Sequence, residues 1–250
     1  MKKNNIKINS FKNDVIKRVN NNKKNLKLVN SANSFVKHSV NSKYTYNFSW
    51  LGRPIIQMPQ DLIALQEIIW NTQPDLIIET GIAHGGSLSF FASMLHLTKS
   101  NNKPKKVIAI DIDIRPHNKK EILKHPLKNY IYMIEGSSID SSVFQKVEKL
   151  SKNFKKIMVC LDSNHTEEHV LKELLLYSKL VSSGGYCVVF DTVINQLPKN
   201  YYPNRPWSKK DNPRTAITKF LKNNKNFSID KSINNKLLIS MAMDGYLKKK

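Results

Sequence analysis

The chain has 250 residues, of which 40% are hydrophobic and 9% aromatic, and its formal net charge is +22. This length allows one α/β domain with a sizeable core, and no apolar run approaches the roughly 20 residues that a membrane-spanning helix needs. The basic amino-terminal stretch has neither the continuous apolar segment nor the cleavage site of a secretory signal. We therefore expect a soluble, cytoplasmic protein without membrane insertion, and both a monomer and a homo-oligomer are compatible with the sequence.

The first segment of the chain carries much of the positive charge. Residues 1 to 50 contain eleven Lys or Arg and a single acid, Asp14. Clustered basic residues often bind nucleic acid, but Lys and Asn crowd together in every exposed stretch here, without interleaved aromatic residues. Compositional drift is therefore favoured over nucleic-acid binding. We predict that residues 1–45 form a basic, partly disordered arm with at most one frayed helix, and that residues 46–250 form the folded domain.

The domain begins as an alternation of helices and strands. Apolar residues recur at helical spacing over residues 60–73, ahead of Pro74, and predict an amphipathic helix. Five short apolar strands follow, each ending in a carboxylate, at 76–79, 106–111, 130–135, 156–162 and 186–191. Helical segments between them make successive βαβ units, so we predict a doubly wound α/β fold with a parallel sheet. Cys160 and Cys187 lie inside the apolar runs and are assigned to the core.

The carboxyl-terminal part departs from this alternation. Residues 194–215 form a loop rich in Pro and aromatic residues that is long enough to act as a lid, and a helix follows at 215–224. The segment 227–243 is predicted to fold as two strands joined by a turn at 232–235, an antiparallel hairpin, and Lys248 to Lys250 as a frayed tail. Five parallel strands, a helix and a terminal hairpin are the order of seven-stranded, Rossmann-like methyltransferase domains.

The carboxyl ends of the strands carry an unusual set of acids. Ligands of open parallel sheets bind at this edge, and all five strands end there in an acid: Glu79, Asp111, Glu135, Asp162 and Asp191. For any one of these acids, a role as a helix cap explains its position as well as a role in binding does. Five caps together are a much weaker explanation than a binding site, so the sequence predicts a functional site along this edge.

The first turn after a strand, ETGIAHGGS, suits a ligand with an anionic and a cationic end. Gly81 follows the strand, and Gly85, Gly86 and Ser87 open the next helix, where free N–H groups and the helix dipole attract an anion. The spacing is not the GxGxxG of dinucleotide sites. Glu79, two residues before the first glycine, would repel a pyrophosphate but could take up an ammonium. The methionine part of S-adenosylmethionine is such a zwitterion, and a tight turn without a ligand is the alternative.

The next two strand ends suit the rest of this cofactor. Asp111 can accept hydrogen bonds from ribose hydroxyls, and Asp113 is a weaker second candidate. Ser137 and Ser138 offer small hydroxyls for an adenine edge, although they could equally cap the helix that begins near Asp140. The predicted cofactor site therefore extends over three strand ends.

The last two strand ends predict a cation site. Asp162 and Asp191 offer hard oxygen ligands that suit Mg²⁺ together with water and substrate oxygens. A cation there would lower the pKa of a substrate hydroxyl, and His165 could remove its proton. His169 lies four residues after His165, a spacing used by zinc ligands, but without an HExxH frame we assign His169 to the surface.

Together these segments resemble one known family. Seven segments are similar, in order, to motifs of the cephalosporin hydroxylase and rhamnosyl O-methyltransferase family: WLGRPIIQMPQD, IIETGIAHGGSLSFFA, IDIDIRPHNKKEILKHPL, IEGSSID, LDSNHTEEHV, DTVI and DGYLKK. The resemblance covers about residues 48 to 248. It implies an S-adenosylmethionine-dependent methyltransferase with a magnesium site like that of catechol-type O-methyltransferases.

The resemblance also implies a role for each residue at the sheet edge. One group would hold the methionine part of the cofactor: Glu79, Gly81, Gly85, Gly86 and Ser87. Asp111 would bind the ribose, Ser137 and Ser138 would flank the adenine, and Asp162 and Asp191 would be metal ligands.

Two positions depart from the related enzymes. His165 lies three residues after Asp162, where the catechol-type enzymes have a catalytic lysine, so the implied base is a different residue. The antibiotic-pathway members have Glu-Asp at the end of strand five, whereas this chain has Phe190 and Asp191, which removes one metal ligand. Thr192 is the candidate replacement, and loss of the metal would leave activation to His165.

We therefore predict an O-methyltransferase for a hydroxyl of a sugar, a glycan or another polar small molecule, for example in glycan or lipopolysaccharide biosynthesis. Tyr201, Tyr202 and Trp207 of the lid could pack on a sugar ring, or they only pack against the core. Two alternatives stay open: an RNA methyltransferase that uses the basic arm, and an oxidative, hydroxylase-type tailoring enzyme. Iron oxygenation requires two His and one carboxylate, and the sheet edge offers one His too few.

Overall fold

The computed structural model describes residues 2–98, 104–198 and 201–250, with side chains from Ser10 onward. Residues 199 and 200 of the predicted lid, and part of the Lys- and Asn-rich stretch near residue 100, lie outside the described residues. Within the described part of the chain, every helix is too short or too polar to cross a bilayer.

Two helices precede the domain, α1 (Lys2–Asn22) and α2 (Leu26–Asn41), where the sequence predicts at most one frayed helix. The side chain of Asn25 caps α2 by accepting a hydrogen bond from the Leu28 N–H. α2 also buries one face, and its spacing of three and four residues is typical of a packed helix. The apolar stripe is short and lies in a segment rich in Asn and Lys, so the sequence pattern is too weak to predict it.

A seven-stranded sheet forms the centre of the described chain. A small hairpin, β1 (Phe48–Trp50) and β2 (Arg53–Ile55), precedes it. The sheet strands are β3 (Leu76–Thr80), β4 (Lys106–Asp111), β5 (Ile131–Glu135), β6 (Ile157–Leu161), β7 (Tyr186–Val189), β8 (Phe227–Ile229) and β9 (Tyr246–Lys249). Their order is β5-β4-β3-β6-β7-β9-β8, with the first five parallel and β9 antiparallel to both of its neighbours. The predicted doubly wound, Rossmann-like sheet is confirmed.

Helices cover both faces of the sheet. They are α3 (Pro59–Thr72), α4 (Gly86–Leu97), α5 (Pro116–Lys124), α6 (Ser141–Ser151), α7 (Glu167–Tyr177), α8 (Pro213–Asn223) and α9 (Lys231–Leu237). Successive residues of a strand point to opposite faces. Ile77 accordingly joins the core shared with α3 and α4, whereas Ile78 joins the core shared with α7 and α8. Cys160 and Cys187 are both buried, as predicted.

The carboxyl-terminal antiparallel pair is confirmed, but the predicted second strand is wrong. The predicted turn at 232–235 lies inside α9, which Asp230 caps by accepting from the Ser232 N–H. The second strand is β9, so Lys248 and Lys249 belong to the sheet and are not a frayed tail. Tyr246 and Leu247 of this strand are both 0% exposed. Two apolar residues give too short a pattern to reveal a strand that inserts between β7 and β8.

The topology places the predicted site residues at one edge. β3 pairs with β4 on one side and with β6 on the other, so the winding reverses at β3. A crevice opens at such a reversal, outside the carboxyl ends of the strands. The turn after β3 and the loop after β6 therefore face each other across this crevice.

Candidate active site

The glycines of the turn after β3 allow close backbone packing. A Cβ on Gly81, which has φ +95°, would lie 2.2 Å from the backbone oxygen of Asp162, and a Cβ on Gly86 would lie 2.1 Å from the backbone oxygen of Pro54. Gly85 has φ +79° and is the N-cap of α4. These glycines therefore bring the turn against the end of β6 and against the β1–β2 hairpin.

Replacing Gly81 with alanine is expected to destabilise the fold by roughly 3 kcal/mol, because alanine resists the left-handed conformation and its Cβ meets backbone. Gly52→Ala is the matched control: Gly52 has φ +83°, but its Cβ would meet nothing within 4 Å, so about 1 kcal/mol is expected. Urea unfolding of both variants measures the difference. Equal losses would show that the close approach to Asp162 does not matter.

Asp111 fastens the turn to the end of β4. Its Oδ2 accepts hydrogen bonds from the N–H groups of Ile82 (2.7 Å) and Ala83 (3.3 Å), and its Oδ1 accepts from the Asp113 N–H (3.1 Å). The side chain of Asp113 itself is exposed and forms a 4.0 Å ion pair with Arg115. Asp111 is thus held in a fixed orientation at the crevice, whereas Asp113 is not.

Glu79 is a buried carboxyl at the base of the turn. It is 3% exposed and accepts a 3.0 Å hydrogen bond from the Ser87 hydroxyl. Burial raises the pKa of Glu79 to about 8, the Ser87 hydrogen bond opposes the shift, and the charge of Asp111 adds to it. An ammonium group next to Glu79 would favour the ionised form.

Glu79 should make the stability of the ligand-free protein depend on pH. Its pKa is higher in the folded chain than the ordinary 4.5, so the stabilisation from the protonated form is complete below pH 4.5 and is lost as the pH rises through about 8. We expect the stability of Glu79→Gln to lack the part of the decline with rising pH that Glu79 causes. Urea unfolding of both proteins from pH 4 to 9 tests it, and parallel curves for the two proteins would contradict it.

Three side chains after β6 and β7 converge on one point. His165 Nε2 lies 3.0 Å from Asp191 Oδ2, and one ligand atom from each of Asp162, His165 and Asp191 lies within 4.8 Å of the others. Burial, and next the charge of Asp191, raise the pKa of Asp162 well above its usual range. Asp191 has φ 53°, a strained conformation of the kind that clusters at functional sites. A cation at this point would relieve the crowding of negative charge.

Gln57 is a site residue that sequence reasoning missed. It follows β2, is 6% exposed, and its Nε2 donates a 3.0 Å hydrogen bond to Asp162 Oδ2. Its Oε1 is buried without a hydrogen-bond partner among the described residues. A glutamine in a loop carries no local signal, because only the fold brings it to Asp162.

Residues of the predicted lid line one side of this site. The ring of Trp207 lies edge-on to His165, with 4.7 Å between centroids, and the guanidinium of Arg205 lies 5.2 Å from the Trp207 ring. A cleft of about 670 Å³ runs from the lid to the turn after β3, with both lid residues, Gln57, Asp111 and Asp162 on its walls. The Nε1 of Trp207 is also buried without a partner in the described chain. The cleft thus joins the predicted cofactor residues to the acidic group.

Two predicted assignments are corrected. Thr192 is 1% exposed and donates its hydroxyl to the backbone oxygens of Met241 (3.2 Å) and Met243 (2.6 Å), so it does not replace a metal ligand at Phe190, which is itself buried. His169 was predicted at the surface, but its side chain is half-buried, with 19% exposed. Its Nε2 faces inward and lies near the hydroxyls of Ser138 and Ser163.

The serines after β5 are placed differently from one another. Asp140, not a serine, caps α6 by accepting from the Ser142 and Val143 N–H groups, so the capping alternative for the serines is wrong. Ser138 is 5% exposed and its hydroxyl lies 3.0 Å from His169 Nε2. Ser137 is half-buried at the same loop.

Known proteins share both the sequence pattern and the fold. A family model described as Rhamnosyl O-methyltransferase/CmcI matches residues 42–250. Rhamnosyl O-methyltransferases of Mycobacterium bovis and Mycobacterium tuberculosis are 33% identical over 156 residues, which is 60% of this chain and 59% of each relative. The protein of that name from Mycobacterium leprae is 32% identical over 152 residues, 60% of this chain and 62% of the relative. The match spans about three-fifths of the length of these relatives.

Solved structures agree in fold. A CmcI structure with Mg and SAM has a TM-score of 0.56 at 18% identity, covering 82% of this chain and 77% of that one. An O-methyltransferase from Bacillus cereus in complex with SAH has a TM-score of 0.51 at 15% identity, covering 81% and 80%. The family match extends over the whole seven-stranded domain. The chain therefore belongs to the Rhamnosyl O-methyltransferase/CmcI family, as its motifs predicted.

Proposed function

We propose that the protein is an S-adenosylmethionine-dependent O-methyltransferase for a hydroxyl of a sugar or glycan, with a divalent cation at the reaction centre. One observation carries the proposal: Asp111, bonded to the turn after β3, lines the same cleft as Asp162, and ligand atoms of Asp162, His165 and Asp191 lie within 4.8 Å of one another. Family membership supports the methyl donor, and the names of the mycobacterial relatives support a sugar acceptor.

Different residues would bind the amino-acid part and the adenosine part of the donor. Glu79 would take the ammonium of the methionine part, while the N–H groups at the start of α4, from Gly85 to Ser87, would take its carboxylate. Asp111 would accept from the ribose hydroxyls, since its oxygens keep further lone pairs after binding the turn. Ser137 is the freer of the two serines on the adenine side, because the Ser138 hydroxyl is already bonded to His169.

The acidic group fits a hard divalent cation. Asp162 and Asp191 supply half-buried carboxylate oxygens, and their mutual repulsion favours a positive charge between them. When bound, Mg²⁺ would lower the pKa of an acceptor hydroxyl. His165, which lies 3.0 Å from Asp191, would accept the hydroxyl proton, and the bound donor would supply the methyl group and leave as S-adenosylhomocysteine. Most of the acceleration would come from alignment.

The acceptor would lie between the lid and Asp162. Trp207 lies beside His165, and Gln57 has a buried acceptor oxygen without a partner in the described chain, next to Asp162. Buried polar atoms without partners are costly, so a hydroxyl-rich ligand that pairs with them would gain affinity. A sugar with neighbouring hydroxyls has this chemistry.

A transfer assay tests the proposal. The protein is incubated with methyl-labelled S-adenosylmethionine, Mg²⁺ and a panel of acceptors that includes methyl rhamnosides, other methyl glycosides and RNA. We expect label in an O-methyl sugar. Two results would contradict the proposal: label in RNA that is lost when residues 1–45 are removed, and iron-dependent oxygen consumption without affinity for S-adenosylmethionine.

A further inference from the structure

Helix α7 presents three polar side chains on one face behind the proposed site. His169, Glu173 and Tyr177 are spaced by four residues, which places them above one another along the helix. All three point toward the loops that follow β5 and β6. None of them is among the residues proposed to touch the cofactor, the cation or the acceptor.

Two of these side chains hold the loop after β5. His169 Nε2 lies 3.0 Å from the Ser138 hydroxyl, and the Tyr177 hydroxyl donates a 2.8 Å hydrogen bond to the backbone oxygen of Ser138. Ser138 is therefore fixed through its side chain and its backbone by the same helix. This loop is the one proposed to flank the adenine.

Glu173 and His169 also hold the loop after β6. Glu173 Oε1 accepts a 2.6 Å hydrogen bond from the Ser163 hydroxyl, which also lies 3.3 Å from His169 Nε2. Ser163 directly follows Asp162, so its position helps to set that of the proposed metal ligand. The two loops are thus joined through a shared histidine nitrogen.

The burial of Glu173 lowers the stability of the fold. This residue is 0% exposed, and its second oxygen, Oε2, has no hydrogen-bond partner in the described chain. A buried carboxylate with an unpaired oxygen costs stability. The group is not a hydrolytic triad, because Ser163 and Glu173 both approach Nε2 of His169, whereas a triad needs the carboxylate on the other ring nitrogen.

We propose that this face of α7 positions the two loops together, with Glu173 as its central positioning residue, so that the adenine side and Asp162 are held in one fixed relation. The inference rests on the proposed function, since it concerns the same cofactor site. Asp162 and the loop proposed to flank the adenine follow different strands, and α7 bonds to Ser163, next to Asp162, and to Ser138 of that loop. Substitution of Glu173 should therefore weaken binding of the adenosine part of the cofactor, although Glu173 does not touch it.

The test compares two ligands by calorimetry: S-adenosylmethionine, and 5′-methylthioadenosine, which lacks the amino-acid part. For Glu173→Leu we expect a roughly tenfold rise in Kd for both ligands, because Ser163 loses its partner. Glu173→Gln keeps an acceptor oxygen and should remain within about threefold of the wild type. The matched control is Ser87→Ala, which should weaken binding of S-adenosylmethionine but not of 5′-methylthioadenosine.

Thermal unfolding separates positioning from a merely structural role. Leucine removes the buried, unpaired Oε2 of Glu173, and the exposed Ser163 can bond to water instead, so the Tm of Glu173→Leu should not fall although its affinity does. Wild-type affinity for both ligands in Glu173→Leu would overturn the inference while leaving the proposed function intact. If the wild-type protein bound neither ligand, the proposed function would fail and the inference with it.

Discussion

Replacing Asp111 with alanine is expected to weaken S-adenosylmethionine binding by about a hundredfold or more. The carboxylate would make charged hydrogen bonds to the ribose, each worth about 1.5 to 3 kcal/mol, and about 2.7 kcal/mol corresponds to a factor of one hundred. It also accepts from the N–H groups of Ile82 and Ala83. The variant therefore loses a ligand contact and the fastening of the glycine turn at once.

Asp113→Ala is the matched control for this loss. Asp113 lines the same cleft, only two residues away, but its side chain is 69% exposed and forms a long ion pair with Arg115. We expect its affinity for S-adenosylmethionine to stay within about twofold of the wild type, because exposed ion pairs contribute little. Calorimetry on both variants decides. Equal affinity in Asp111→Ala and the wild type would remove the ribose assignment.

Replacing His165 with alanine is expected to lower the rate of methyl transfer about a thousandfold while leaving the affinity for S-adenosylmethionine unchanged. Removal of a positioned general base costs factors of this order. His165 is suited to the role because Asp191 lies 3.0 Å from its Nε2 and Trp207 fixes its ring from the side. His165 is not among the residues proposed to hold the donor.

The measurement is single-turnover transfer of a labelled methyl group to the best sugar acceptor of the panel. His96→Ala is a suitable control, since His96 is exposed at the far end of α4, where its Nδ1 lies 3.1 Å from the Tyr130 hydroxyl. Binding of Mn²⁺ to the variant, followed by electron paramagnetic resonance, separates a base from a metal ligand. Unchanged Mn²⁺ affinity fits the base, and full turnover in His165→Ala would exclude it.

The parallel sheet and its acidic edge could be predicted because their signals are local. The six residues of KVIAID are enough to predict a buried strand that ends in a carboxylate. The strand β4 is found at the predicted bounds, Lys106–Asp111. The glycine turn is equally local, since positive φ and close packing at Gly81 demand glycine. The motifs then sufficed to identify the family.

Other features could not be predicted because they depend on contacts between distant segments. Gln57 reaches Asp162 across 105 positions of the chain, and His169 is drawn inward by Ser138, 31 positions away. The strand β9 has only two buried apolar residues, and its place in the sheet depends on β7 and β8 being there to pair with it. Thr192 was a plausible ligand by position, but its hydroxyl bonds elsewhere in the folded chain.

The most direct test of the proposed cofactor site is a crystal structure of the protein grown with S-adenosylhomocysteine and Mg²⁺. We expect the ribose at Asp111, the amino-acid part between Glu79 and the start of α4, and the ion between Asp162 and Asp191. S-adenosylhomocysteine bound elsewhere on the protein, or a crevice that stays empty at saturating ligand, would contradict it.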